Sequence, residues 1–373
     1  MTSYARKDGG TETGPASMAP IRDSYLVSPE DRILITGASG FIGSRVVQGL
    51  LDRGFRNLVC FARPSSEPTG IDAIVKQRPD GAHIEVLRGN LLSRQDCEAA
   101  CRDVALIYHL AAGTGEKSYP DAFMNSVVTT RNLLDATLAG ARLRRFVLIS
   151  SFSVYSNCQK PRREILDESC PVDEHIELRG EAYGFAKVQQ ERIVAEYSRK
   201  FGIPSVVLRP GSVYGESKVA ISGRVGIGTF GIFLHMGGSN PIPFTYVENC
   251  AEAIILAGLV KGVDGEIFNV VDDDLPSSRQ YLRWYKRDVR KFKSLYVPHA
   301  LSHALCFLWE KYSDWSKGQL PPAFNRRRWH AYWKKTRYSN QKLKTMLGWV
   351  PKVPTAEGLR RHFRACGRKL QHA

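Results

Sequence analysis

The sequence predicts an α/β fold: a doubly wound parallel sheet with a smaller, mainly helical C-terminal lobe. Three observations predict it. Short apolar runs alternate with segments of helical length from Asp31 to Gly215; a glycine-rich turn follows the first run at once; and beyond Gly215 the alternation gives way to a basic, helix-rich stretch.

Residues 1–29 are rich in Gly, Ser, Thr and Pro with little apolar content, the composition of a disordered leader. RILIT (32–36), NLVCF (57–61), HIEVL (83–87), ALIYHL (105–110), RFVLIS (145–150) and SVVLR (205–209) read as strands. Their near-continuous apolar character suits a parallel sheet, whose strands are buried on both faces. SGRVGIGTFGIF (222–233) is expected as a glycine-rich loop, and FTYVEN (244–249) and EIFNVV (266–271) as short strands. The expected domains are therefore 30–215, with returning segments at about 244–272, and a second lobe from 216–243 and 273–373. In that lobe Leu301, Ala304, Leu305, Leu308, Tyr312 and Trp315 keep helical spacing. Their face is expected to dock on the domain, with lying on a membrane surface as the alternative.

A chain of 373 residues, 43% hydrophobic and 24% charged, can bury one large core or a core plus a small lobe. No apolar run is long enough to span a bilayer and no secretory signal is visible, which points to the cytoplasm. The eight cysteines are scattered without metal-ligand spacing, so neither disulfides nor a metal are expected. Of the net charge of +16, the stretch from Pro276 onward holds 23 Lys+Arg against 4 Asp+Glu, a local +19 that leaves −3 for the rest. Such density, highest in RRRWHAYWKKTR (326–337), suits an anionic partner: a diphosphate, acidic lipid head groups or nucleic acid. No nucleic-acid recognition module is recognisable, so no specific nucleic acid is expected.

The glycine turn TGASGFIGS places Gly37, Gly40 and Gly43 between a strand and a helix. That context aims backbone N–H groups and the positive end of a helix dipole at a pyrophosphate, the phosphate-binding turn of a Rossmann domain. Gly226, Gly228 and Gly231 match the G-x-G-x-x-G spacing letter for letter, yet no strand precedes them, so they are not expected to touch a phosphate. At the end of the second strand, where an acid would accept from a ribose 2′-hydroxyl, the text is CFARPSS. Arg63, with Ser65 and Ser66 and no acid, favours NADP over NAD.

These motifs resemble the extended short-chain dehydrogenase/reductase superfamily, the NAD-dependent epimerase/dehydratase group. The resemblance runs from about Arg32 to Gly358 through TGASGFIG, RGNLL (88–92), HLAA (109–112), Asn125, ISSFSVY (149–155), YGFAK (183–187), RPGSVYG (209–215), YVEN (246–249) and LGWVPKV (347–353). It implies a catalytic Ser151, Tyr183 and Lys187, and a cofactor lined by Gly37, Ser39, Gly40, Phe41, Ile42, Gly43, Arg63, Asn90, Leu91, Leu110, Ala111, Ala112, Asn125, Tyr183, Lys187, Pro210 and Val213. Asn90 stands where the family usually has Asp and retains an amide oxygen to accept from adenine. Tyr214 with Lys218 and Tyr338 with Lys342 share the Tyr-x-x-x-Lys spacing but not the position. A homodimer through the long helices of the sheet domain is common in look-alikes.

A lysine ammonium about 4 Å from a phenol, at an effective dielectric near 20, favours the phenolate by roughly 4 kcal/mol, or about three pK units. Tyr183 is expected on that basis to ionise near working pH and to move the proton of a substrate hydroxyl or carbonyl, helped by Ser151. Related dehydratases carry Asp-Glu after the catalytic Thr, and decarboxylases a Glu; here Phe152 and Ser153 stand instead. An epimerase that retains its NAD, or a net dehydrogenase/reductase, remains. The substrate is expected to be a nucleotide sugar, whose diphosphate suits the basic lobe. GGSNPIPFTYVENCAEAIILA (237–257) and YSNQKLKTMLGWVPKVPTAEGL (338–359) equally resemble the 3β-hydroxysteroid dehydrogenase branch, so the alternative is a 3β-hydroxysteroid or sterol-type dehydrogenase or ketoreductase on an apolar lipid alcohol, taken from a membrane surface beside Trp309, Trp315, Trp329 and Trp333. A cofactor-binding sensor without turnover is a further alternative, disfavoured because Tyr183 and Lys187 are both present.

Overall fold

A computed structural model describes residues 25–65, 69–77, 81–113, 118–140, 142–158, 164–218, 220–229, 231–316, 319 and 324–371. Seven strands build the main sheet: β1 (Arg32–Thr36), β2 (Asn57–Ala62), β3 (His83–Arg88), β4 (Val104–His109), β5 (Arg145–Ile149), β6 (Ser205–Pro210) and β7 (Ile267–Val270). Their order is β7-β6-β5-β4-β1-β2-β3 and every pairing is parallel. The chain starts in the middle, runs out to β3 and then crosses to β4, so the order reverses between β1 and β4. The carboxyl ends of those two strands mark the switch point, the crevice where such sheets bind ligands.

Helices α1 (Gly43–Leu51), α2 (Ala182–Phe201) and α3 (Val247–Leu259) cover the sheet. One core joins Val46, Val47 and Leu50 of α1 and Ile254 and Ala257 of α3 to Ile33, Ile35 and Leu58. The opposite face packs Ala186, Ile193 and Val194 of α2 against Leu34, Ile107 and Phe146. Two apolar layers enclose each inner strand, as the uninterrupted apolar runs require. Three further helices, α4 (His299–Trp315), α5 (Arg326–Tyr332) and α6 (Thr355–Gln371), lie in the C-terminal part.

Several expectations change. Residues 1–24 of the expected leader lie outside the described residues, but 25–29 are ordered into the fold: Val27 is buried and the Leu26 amide donates to the Leu259 carbonyl at 2.7 Å. The expected loop at 222–233 contains a hairpin instead, Gly226–Thr229 paired antiparallel with Ile232–His235. A Cβ on Gly226 would stand 2.0 Å from the Leu234 carbonyl oxygen, so this glycine serves strand pairing and not a phosphate. Leu343, Leu347 and Trp349, placed by the sequence reading in the second lobe, belong to the core of the main sheet.

The apolar face of α4 does not dock on the domain. Leu301, Leu305, Leu308, Tyr312 and Trp315 are exposed, while the small polar residues Ser302, Cys306 and Ser313 turn inward. Trp329 and Trp333 are not surface residues either; both are buried with Met236, Val297 and Cys306. No helix among the described residues is long and apolar enough to cross a membrane.

Candidate active site

Gly37 follows β1 with φ +68°, and a Cβ there would stand 3.0 Å from the Ala111 amide nitrogen, so the ends of β1 and β4 approach backbone to backbone. A Cβ on Gly43 would fall 2.1 Å from the Gly37 carbonyl oxygen, which closes the turn. At the head of α1 the N-cap Ile42 makes no side-chain cap bond, and the first turn holds no acid. The Ser44, Arg45 and Val46 amides are taken by the Gly40 and Ile42 carbonyls, no side chain competes for an anion at this helix end, and the glycine cradle fits the pyrophosphate of a dinucleotide.

Thr36 and His109 brace this turn from below. The Thr36 hydroxyl hydrogen-bonds His109 Nδ1 at 2.8 Å and accepts from the Ala111 amide at 3.2 Å, while His109 Nε2 meets the Thr130 hydroxyl at 2.9 Å. Burial, with the charge of Lys187, pushes His109 down to about 3, so it stays neutral and acts as a latch.

The other expected cofactor positions spread along the crevice. Ser39, Phe41 and Ile42 are partly exposed on the turn, as are Leu110, Ala111 and Ala112 beyond β4. Ile42, Leu110 and Val213 pack into one cluster, and Pro210 ends β6. Arg63 is exposed just after β2 beside Ser65; Ser66 lies outside the described residues. Asn90 is exposed, with its side-chain oxygen accepting from the Leu92 amide at 3.0 Å, whereas Leu91 is buried. Asn125 is exposed on the π-helical turn Phe123–Val128.

Ser151 stands two residues beyond β5, where its side chain caps a 3-10 turn by accepting from the Ser153 amide at 3.2 Å. Tyr183, the second residue of α2, is partly exposed. Lys187, one turn on, is buried with Nζ 5.9 Å from the Tyr183 ring centre and donates to the Ile149 carbonyl at 2.8 Å. The three expected catalytic residues thus meet at the carboxyl edge of the sheet.

Their protonation differs from the sequence expectation. Burial pushes the Tyr183 phenol up to about 12; the Ser151 hydroxyl draws it down and the Glu181 carboxylate adds to the rise. Burial lowers Lys187 to about 8, against the pull of Glu191. Lys187 still carries its charge at pH 7, yet the phenol stays near 12, well above working pH. Burial outweighs the simple Coulomb pairing.

Two groups of charged residues escaped the sequence reading. Behind Lys187, Glu191 binds Arg209 through Nε at 2.9 Å and Nη2 at 2.6 Å and accepts from the Ser150 hydroxyl. Its position four residues after Lys187 was a signal. Beside Tyr183, the Glu181 carboxylate lies 3.1 Å from Arg179 and accepts from the Tyr332 hydroxyl of α5. The Arg224 guanidinium lies 5.0 Å from the Tyr332 ring centre and donates to the Ala331 carbonyl at 2.9 Å. Arg224 is buried, and among the described residues no carboxylate pairs with it. Nothing local in SGRVGIG announces that role. Phe152 and Ser153 are buried, Phe152 stacking on Tyr338 at 5.6 Å, so the position of an elimination acid is filled by packing. Tyr338 thereby borders the site, but Lys342 pairs with Glu266 at 2.6 Å. Among the described residues no group of three or more His, Cys, Asp or Glu side chains is placed to hold a metal, and all described cysteines are free.

Known proteins share this plan. The fold is similar to UDP-glucuronic acid 4-epimerase from Bacillus cereus, solved in complex with NAD, at TM-score 0.65 and 21% identity over 91% of this chain and 99% of that one. Among curated proteins, a trifunctional UDP-glucose 4,6-dehydratase/UDP-4-keto-6-deoxy-D-glucose 3,5-epimerase/UDP-4-keto-L-rhamnose-reductase of Arabidopsis thaliana is 26% identical over 268 residues, 66% of this chain. This chain spans only 38% of that relative's length. A 3 beta-hydroxysteroid dehydrogenase/Delta 5-->4-isomerase of Mycobacterium tuberculosis is 30% identical over 202 residues, 52% of this chain and 50% of its own. The family model for NAD dependent epimerases/dehydratases matches residues 33–270, from the first strand of the sheet to the last. With a sheet that reverses at the glycine turn and a Tyr-Lys pair at its carboxyl edge, the chain belongs to the NAD dependent epimerase/dehydratase family.

Proposed function

We propose that this chain binds a nicotinamide dinucleotide across the ends of β1 and β4 and interconverts a secondary alcohol and a ketone on a nucleotide sugar. The observation that carries the reading is a partly exposed Tyr183 one helical turn from a buried Lys187, whose Nζ lies 5.9 Å from the Tyr183 ring centre, with Ser151 two residues beyond β5. The dinucleotide supplies the hydride acceptor and donor. Tyr183 holds or takes the proton of the substrate oxygen, Ser151 hydrogen-bonds the same oxygen, and Lys187 is placed to hold a ribose hydroxyl. NAD is the dinucleotide named for the family, and Arg63 is the feature that would admit a 2′-phosphate.

Arg224 favours the nucleotide sugar over a sterol-like alcohol. A buried guanidinium without a carboxylate is costly in a site filled by an apolar skeleton, and an anionic group on the substrate relieves that cost. With Phe152 and Ser153 packed where an elimination acid would stand, the reaction is epimerisation on a retained dinucleotide or net reduction. Native mass spectrometry separates the two, since an epimerase retains its dinucleotide and a reductase emerges empty.

The test is turnover of UDP-glucose and UDP-glucuronic acid by the full chain with NAD or NADPH, beside Tyr183→Phe. The variant is expected to lose roughly 100-fold or more in turnover while keeping its thermal shift with dinucleotide. Equal turnover by variant and wild type overturns the assignment.

A further inference from the structure

Helix α4 is inside out. Ser302, Cys306 and Ser313 face the body, the Ser302 hydroxyl accepting from Trp329 Nε1 at 2.8 Å, and the large apolar residues face solvent. Leu301, Leu305, Leu308, Tyr312 and Trp315 are 51%, 50%, 60%, 51% and 76% exposed. They follow one another at spacings of four and three, which keeps them in one stripe along a helix about 25 Å long. A stripe of this size on a folded chain marks a contact surface.

We infer that this face lies on an anionic lipid surface, with the helix parallel to the membrane plane. Charge selects the occupant. The chain from Pro276 onward carries 23 cationic against 4 anionic side chains, while the remainder is close to neutral. Arg290, Lys291 and Lys293 are exposed just ahead of α4. At the helix itself the Arg326 guanidinium and Lys311 Nζ lie 4.8 and 5.9 Å from the Phe307 ring centre, and Arg326 also neutralises Glu310 at 2.6 Å. Asp314 is the other acid of that helix and is exposed. A second copy docked on the same stripe would bring two cationic lobes together, whereas anionic head groups neutralise them while the apolar chains take the stripe. Tyr312 and Trp315, stacked at 5.7 Å, are the residue types that settle at the lipid–water boundary. The surface does not depend on which reaction the crevice performs.

The experiment is co-sedimentation of the full chain with vesicles of mixed phosphatidylglycerol and phosphatidylcholine, against phosphatidylcholine alone, at low and high salt. Binding to the anionic vesicles is expected to exceed that to the neutral ones by about ten-fold or more and to weaken with salt. Leu305→Glu with Leu308→Glu should lose about ten-fold or more while melting as wild type does. In a second measurement, brominated lipid should quench the fluorescence of wild type more than that of Trp315→Phe. No vesicle binding, binding indifferent to lipid charge, or binding unchanged in the double variant overturns the inference. So does a wild-type dimer that the double variant converts to monomer without any lipid binding.

Discussion

Lys187→Met should make the protein more stable and less active. Lys187 is 4% exposed, and burial brings it from 10.5 down to about 8. At 1.36 kcal/mol per pK unit, keeping the ammonium in the folded chain costs about 3 kcal/mol at pH 7 relative to the unfolded chain. Methionine keeps the length of the stem, drops the charge and gives up one hydrogen bond to the Ile149 carbonyl, worth about 1 kcal/mol. The variant should gain about 2 kcal/mol at pH 7. The sign of the pH dependence follows from a folded value below the unfolded one. Below about 8 both states hold the proton and the full cost is present. Between about 8 and 10.5 the unfolded chain keeps a proton that the folded chain has lost, so wild-type stability rises with pH and the variant's advantage narrows. Guanidinium unfolding of both proteins at pH 7 and pH 10, followed by tryptophan fluorescence, reads the two differences. Turnover of the variant should fall about 100-fold. A variant less stable than wild type at pH 7, or an advantage that does not narrow as pH rises, refutes the burial argument.

Gly43→Ala puts a Cβ 2.1 Å from the Gly37 carbonyl oxygen, so the turn must open. Calorimetry should show a loss of about 1–3 kcal/mol and no dinucleotide-induced rise in Tm. Glu191→Ala leaves Arg209, 3% exposed, without its carboxylate, and denaturant titration should show destabilisation by about 3–5 kcal/mol. Arg224→Leu should raise KM for the active UDP-sugar by about 10–100-fold with kcat changed only a few-fold, read from initial rates; an unchanged KM removes Arg224 from substrate recognition.

The sheet was legible because its strands are short, apolar and separated by helical segments: RILIT is β1 to the residue, and five other runs fall within a residue of β2 to β6. The glycine turn was legible because it combines three glycines with a strand before and a helix after. Orientation was not. Periodicity shows that α4 has an apolar face, but which face meets the body depends on what the body offers, and here Trp329 offers an indole N–H that Ser302 accepts. The buried charges were equally silent. Arg179, Glu181, Arg224 and Tyr332 come from three separate stretches, and only the folded chain brings them within contact. The Tyr183 ionisation failed for a related reason, since Coulomb attraction is visible in a spacing whereas desolvation appears only once the groups are buried.

The same helix that carries the Tyr-Lys pair explains why the pair rests in its neutral-phenol state. Glu191 sits four residues after Lys187, a spacing at which the two side chains meet on a helix surface and form an ion pair. Such a pair would hold the amine charged well above neutral pH. Instead Arg209 takes both Glu191 oxygens and the Ser150 hydroxyl adds a third bond, so Lys187 is left to the Ile149 carbonyl and to the field of a carboxylate already neutralised. Its ordinary place just above tyrosine is reversed: Lys187 comes down to about 8 while Tyr183 goes up to about 12. No cation among the described residues draws the phenol down, and the pull of Ser151 is outweighed by burial. Among the described residues no positive charge brings Tyr183 to working pH.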